Sequence, residues 1–179
     1  AIHSLRIASE ERPTSSVVFA NIGIAYLQLG EIDKACAALR RAVLLDPLNS
    51  TALFLWSDAA FHSGRDGDVI EPLRLYLQHE EAEAAAWSRL ARACMRTANL
   101  DEALKALRHE ASIRDSSAVW NNLGVVRSLR NETVRALECF KRAVEKAESP
   151  DDWSAHLAAR NIGQALLSRG LLDEALQFT

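Results

Sequence analysis

Two series of small residues recur along this chain at the same intervals. One runs Gly23, Ser57, Ala91, Gly124, Gly163 and the other Ala35, Val69, Ala103, Ala136, Ala175, and both advance by 34, 34, 33 and 39 residues. Two series that share every interval, the irregular last one included, describe a single unit copied along the chain. A unit of this length holds two helices and a turn. Such a unit cannot bury its apolar face alone, so copies must stack into a solenoid. No other feature of the sequence restricts the fold as strongly.

The stretch Asn21–Pro47 shows what one unit contains. Phe19, Ile22, Gly23 and Tyr26 fall at i, i+3, i+4 and i+7, one stripe of a helix. A turn at Gly30 follows, and Ala35, Leu39 and Ala42 make the same stripe on a second helix. Asp46-Pro47 ends it, because proline lacks the donor that a helix interior needs and restricts the residue before it. Gly23 inside a helix costs roughly 0.5–1 kcal/mol relative to alanine, a cost that close approach of a partner helix offsets.

The fourth unit carries the motif W-x2-L-G as Trp120, Leu123 and Gly124, followed by Ala136, Phe140 and Ala143. With Ile22, Gly23, Tyr26, Ala35, Leu39, Ala42 and Pro47 of the first unit, this resembles the tetratricopeptide repeat (TPR) family. The resemblance implies an all-α, right-handed α-solenoid of TPR helix-turn-helix repeats. It also implies a non-catalytic scaffold that binds a peptide or helix of a partner protein in a concave groove.

On this reading residues 1–179 form one solenoid domain, with 1–15 the tail of a preceding repeat and repeats at 16–49, 50–83, 84–116 and 117–150. Residues 151–179 form an incomplete fifth repeat with an extended first helix. Its arrival after 39 residues instead of 34 is assigned to a longer first helix that begins with Ser149 as N-cap, then Pro150-Asp151-Asp152, with Trp153 and His156 on a projecting extra turn. Repeat 2 is the weakest match, with Tyr76 where alanine is preferred and Pro72 near the start of its second helix; in repeat 3, Glu110 replaces a small residue. Half-repeats at both ends lead to the expectation of a fragment of a longer protein.

Charge and composition narrow the functions. A net charge of −3 and a pI near 6.0 argue against nucleic acid as a partner, which demands a basic footprint. No apolar run reaches the length of a membrane span. Cys36, Cys94 and Cys139 are isolated and odd in number, which fits reduced thiols and a cytoplasmic setting. His3, His62, His79, His109 and His156 show no metal-ligand spacing, and no glycine-rich phosphate loop occurs. Neither a metal, a cofactor nor a catalytic residue is expected.

Binding residues are expected on the first helix of each repeat, which in the TPR fold lines the groove. Helical spacing selects Asn21 in repeat 1, then Phe54, Asp58, Phe61 and His62 in repeat 2. It selects Arg89, Arg92 and Arg96 in repeat 3, Asn121 and Asn122 in repeat 4, and Arg160, Asn161 and Gln164 in repeat 5. Arg89, Arg92 and Arg96 stand on one stripe, and guanidinium groups suit two-pronged recognition of carboxylates. Asn21, Asn122 and Asn161 each precede a glycine by two residues. They resemble the asparagine ladder of the TPR arm in O-linked N-acetylglucosamine transferase. The expected ligand is therefore a protein or peptide with acidic and apolar residues. Two other readings stand beside it, a regulatory or targeting arm of a larger enzyme and a self-assembly scaffold that associates through open terminal repeats.

Overall fold

In the computed structural model, which describes residues 14–168, 170 and 171, nine α-helices and one short 3-10 helix account for the regular structure, and no strand occurs among the described residues. The readings for 1–13 and for the helix after Leu171, Ala175 included, lie outside the described residues. The chain divides into two compact units, Ala1–Thr97 and Ala98–Thr179, and the division falls within the span read as repeat 3.

The first unit contains α1 (Ser16–Gln28), α2 (Ile32–Leu45), α3 (Ser50–Ser63), the 3-10 helix (Asp66–Val69), α4 (Ile70–Leu77) and α5 (Ala84–Arg96). Each helix packs on its neighbour in sequence, and the 3-10 helix packs against both α3 and α5. Gly23 shows why the small-residue series exists. A Cβ there would lie 2.5 Å from Leu39 Cγ, so α1 and α2 approach closely only because that atom is missing. Leu39, Leu53 and Leu73 are fully buried, each contributing about 1.5–3 kcal/mol from its apolar surface. One polar chain joins three helices: Asn49 Nδ2 donates to Ser16 Oγ (2.8 Å), which donates to the Ala42 carbonyl (2.9 Å). Asn49 Oδ1 meanwhile accepts from Ala52 N–H at 2.9 Å and caps α3.

Repeat 2 departs from the family pattern, and the structure accommodates each departure. Tyr76 is buried and meets the edge of Phe54, ring centroids 5.8 Å apart. Pro72 lies in the first turn of α4, where its missing N–H has no partner to lose. Repeat 2 has eight residues in α4 because the 3-10 helix occupies the stretch ahead of it.

The second unit contains α6 (Leu100–Ile113), α7 (Ser117–Leu129), α8 (Thr133–Glu145) and α9 (Trp153–Leu167). Gly124 of α7 repeats the role of Gly23. A Cβ there would lie 2.9 Å from Phe140 Cζ and nearer still to two other ring carbons. Phe140, Ala136 and Ala143 of α8 form one core cluster with Ala158, Ile162 and Leu166 of α9. Glu110 is buried and answered by Arg114, whose guanidinium donates to Oε1 at 2.7 Å.

The first helix of the late fifth repeat, α9, is longer than its counterpart α7. Trp153 opens α9 ten residues before Gly163, whereas Ser117 opens α7 seven before Gly124, so the helix gains nearly one turn at its start. Its cap differs from the sequence reading: Asp152, not Ser149, accepts from Ser154 N–H (2.9 Å) and Ala155 N–H (3.2 Å). Residues 147–152 remain outside any helix. Asp152 also accepts from Ser117 Oγ at 2.6 Å, which ties the start of α9 to the start of α7.

Candidate functional site

Each candidate residue sits on a first helix. Asp58 of α3 lies opposite Arg92 of α5, which stands 34 positions and one repeat later. Asp58 Oδ1 accepts from Arg92 at 2.8 Å and Oδ2 accepts from Arg89 at 3.1 Å. Arg92 also donates to the Ser57 carbonyl at 3.3 Å. Burial pushes the Asp58 carboxyl up, but hydrogen bonds and charge from Arg92 and Arg89 outweigh it and hold the group below its ordinary range.

Phenylalanine rings complete the array. The Arg89 guanidinium lies 4.4 Å from the Phe54 ring centre, and those of Arg92 and Arg96 lie 4.5 and 5.1 Å from that of Phe61. Such cation–π contacts contribute about 0.5–1 kcal/mol each where solvent reaches them. Arg96 donates to the buried Asp66 at 3.2 Å, and His62, exposed at the end of the face, contacts the edge of Phe61 at 5.6 Å. The stripe that reads in sequence as an uncommitted cationic face is thus largely neutralised from within. Two aspartates answer three arginines, which leaves one unit of positive charge. Asp58 is visible in the sequence as a groove residue, and the one-period offset to Arg92 is the signal that pairs them. Asp66 is hidden there, because it reads as part of a turn.

In the second unit, Asn161 Nδ2 of α9 donates to Asn121 Oδ1 of α7 at 3.1 Å. Asn121 is buried, so this bond closes a polar contact that solvent cannot serve. Half-buried Asn122 and exposed Asn21 make no side-chain hydrogen bond among the described residues, so the ladder positions differ in what they offer. Beside the Asn161 contact, a cavity of about 390 Å³ opens between α7 and α9 over α8. Val125, Leu129, Phe140 and Ala165 give it apolar walls, and Asn161 and Gln164 supply amides. Arg160 is exposed and not part of its lining.

Other chemistry does not gather. Among the described residues no three His, Cys, Asp or Glu side chains form a metal-binding group, and none of the helices is long and apolar enough to cross a membrane. Cys36, Cys94 and Cys139 are buried and form no disulfide with one another.

Comparison with known proteins agrees with this architecture. Family models for the tetratricopeptide repeat match residues 17–49 and 130–178. A crystal structure of MamA superimposes with a TM-score of 0.78 at 23% identity, covering 91% of this chain and 87% of that one. YrrB, described as a TPR protein with an unusual peptide-binding site, gives 0.73 at 16% identity over 99% and 90%. TTC0263, a thermophilic TPR protein in Thermus thermophilus, gives 0.64 at 19% identity over 92% and 88%. At these identities the likeness is one of fold. A comparison with curated protein sequences gives no match.

Proposed function

Since this chain belongs to the tetratricopeptide-repeat family, we propose that it is a non-catalytic scaffold whose first-helix faces receive an extended segment or helix of a partner protein. The observation that carries the reading is the cavity of about 390 Å³ between α7 and α9. Apolar walls with two amides at the rim suit one large apolar side chain whose flanking backbone needs hydrogen-bond partners. Burying such an anchor is worth about 1.5–3 kcal/mol, and each amide contact about 1 kcal/mol. In the first unit, the arginine–phenylalanine array around Asp58 carries one surplus positive charge, which suits a single acidic side chain rather than an acidic run. The peptide-binding description of YrrB is consistent with this use of the fold. Three buried cysteines outside any disulfide favour a reducing, cytoplasmic setting.

A peptide-display selection against the intact chain tests the reading. Selected peptides are expected to share an apolar anchor, and Leu129→Lys with Gln164→Ala should weaken them by roughly tenfold, with the melt unchanged because both residues are exposed. Peptides that bind this double variant as well as the parent would move recognition off the α7–α9 face.

A further inference from the structure

Away from that face, the second unit gathers an excess of positive charge. α6, the end of α7 and the start of α8 enclose about 420 Å³ lined by Lys105, Arg108, Arg127, Arg130 and Arg135, together with the carboxylates of Asp101 and Glu132. This cavity shares no lining residue with the apolar one between α7 and α9.

The turn after α7 builds it. Asn131 takes the left-handed conformation at φ 60°, so the chain doubles back, with Asn131 N–H bonded to the Ser128 carbonyl and Glu132 N–H to the Arg127 carbonyl, both at 2.9 Å. Arg127, Arg130 and Glu132 are thereby brought together. The Glu132 carboxylate accepts from Arg130 Nε (2.7 Å), Arg127 (2.9 Å) and Arg135 (3.4 Å), while Arg130 also pairs with Asp101. The site therefore already holds a carboxylate by guanidinium groups, its own.

That internal anion does not balance the charge. Five cations face two carboxylates, an excess of three positive charges, in a chain whose net charge is −3. Lys105 and Arg108 are exposed, one turn apart on α6, and neither has an ion-pair partner among the described residues. Arg135 is 67% exposed, and its contact with Glu132 is the longest of the three. Lys105 and Arg108 come from α6 and Arg135 from α8, so the three cations are carried by two helices. Lys105 and Arg108 are separated by about 5–6 Å at Cβ, close to the spacing of about 7 Å between same-side residues of an extended chain.

We propose that this cavity is a second docking site, one that takes an acidic segment of a protein partner with two or more Asp or Glu side chains spaced along an extended backbone. Spread cations match spread carboxylates better than one compact oxyanion, and guanidinium forks pair with carboxylates in two-pronged fashion. The site stands independently of the apolar cavity and of what binds there.

Fluorescence anisotropy of the intact chain with a labelled Glu- and Asp-rich peptide tests the proposal. Binding is expected to weaken as salt rises and to fall by roughly tenfold or more in Lys105→Glu/Arg108→Glu. A peptide with Gln and Asn in place of the acids should not bind. Arg40→Glu/Arg41→Glu, the same charge change on exposed residues of α2, should bind as the parent does. Lys105→Ala/Arg108→Ala, with its melt recorded, gives the same direction without introducing repulsion. Equal loss in both reversed variants would reduce the effect to net charge and overturn the site. So would undiminished binding by either Lys105/Arg108 variant, or displacement of the peptide by millimolar inorganic phosphate, which would mark a site for a compact oxyanion instead.

Discussion

Turn residues show how one position can matter more than its chemistry suggests. Gly30 and Gly64 follow α1 and α3 at φ 73° and 70°, Gly170 follows α9 at 75°, and Ala98 and Asn131 follow α5 and α7 at 60°. These five positions step by the same 34, 34, 33 and 39 residues as the packing series. Alanine gains nothing there, since its Cβ crowds the carbonyl that follows in the left-handed region at about 1–2 kcal/mol. Ala98→Gly should therefore stabilise the chain, by about 0.5–1 kcal/mol after the added freedom of the unfolded glycine is counted. Urea unfolding would show this as a raised midpoint, and a lowered midpoint would contradict it. Gly124 should behave in the opposite way. Its missing Cβ is the space occupied by the Phe140 ring, so even Gly124→Ala should overpack the α7–α8 interface and cost about 1–3 kcal/mol, read from the same curve. Asp58 adds a dependence on pH. Because its folded-state pKa is depressed, its contribution is fully present above the ordinary value of 3.8 and is lost as pH falls through the lower folded value. Asp58→Asn should flatten the acid limb of the stability curve below about pH 4 and leave the rest of its shape intact.

Helices are more legible in the sequence than the contacts between them. The stripe Ile22, Gly23, Tyr26 and the stops at Pro47 and Gly64 are local signals, and local periodicity places a helix without knowledge of its partners. Pairings across repeats are not local: the period points to Asp58 with Arg92, whereas Asn161 meets Asn121 rather than Asn122, its equivalent one period earlier, and the period alone does not give that contact. Repeat 2 shows the limit on the other side: Asp66 reads as a turn residue, yet the 3-10 helix turns it inward to meet Arg96. The start of α9 escapes a sequence reading for a related reason. Both Ser149 and Asp152 are good caps, and the choice is made by Ser117, which donates to Asp152 from α7. Asp152→Ala removes the cap and that tie together, and should cost about 0.5–2 kcal/mol with fraying of the turn that carries Trp153. Trp153 is 70% exposed, so its emission should barely shift while amide exchange at Ser154 and Ala155 quickens. Exchange there as slow as in the parent would show that the cap does not hold the turn.

For the molecule as a whole, a repeat architecture makes stability a sum of hairpin terms and nearest-neighbour terms instead of one indivisible quantity. The core is accordingly not one centre, because each hairpin closes on its own buried contact. Leu39 lies under Gly23 and Phe140 under Gly124, each pair locking the two helices of its own hairpin. An injury to one pair should then be felt mainly by its hairpin and the next. Gly23→Ala sets a Cβ against Leu39 Cγ, an atom at the branch of the side chain that cannot swing aside as a chain end would. Native-state hydrogen exchange should record the result as a gradient. Protection in α1 and α2 should fall by the full cost of the substitution, about 1–3 kcal/mol, while α8 and α9 keep theirs to within about 0.5 kcal/mol. A uniform loss across all helices would mean that the chain opens only as a single cooperative body, and the additive description would fail. The gradient bears on binding as well. If hairpins open separately, a ligand seated between α7 and α9 should protect α7, α8 and α9 and leave α1 and α2 exchanging at their unbound rate. An acidic peptide on the Lys105–Arg108 face should instead slow exchange first at α6 and at the turn around Asn131.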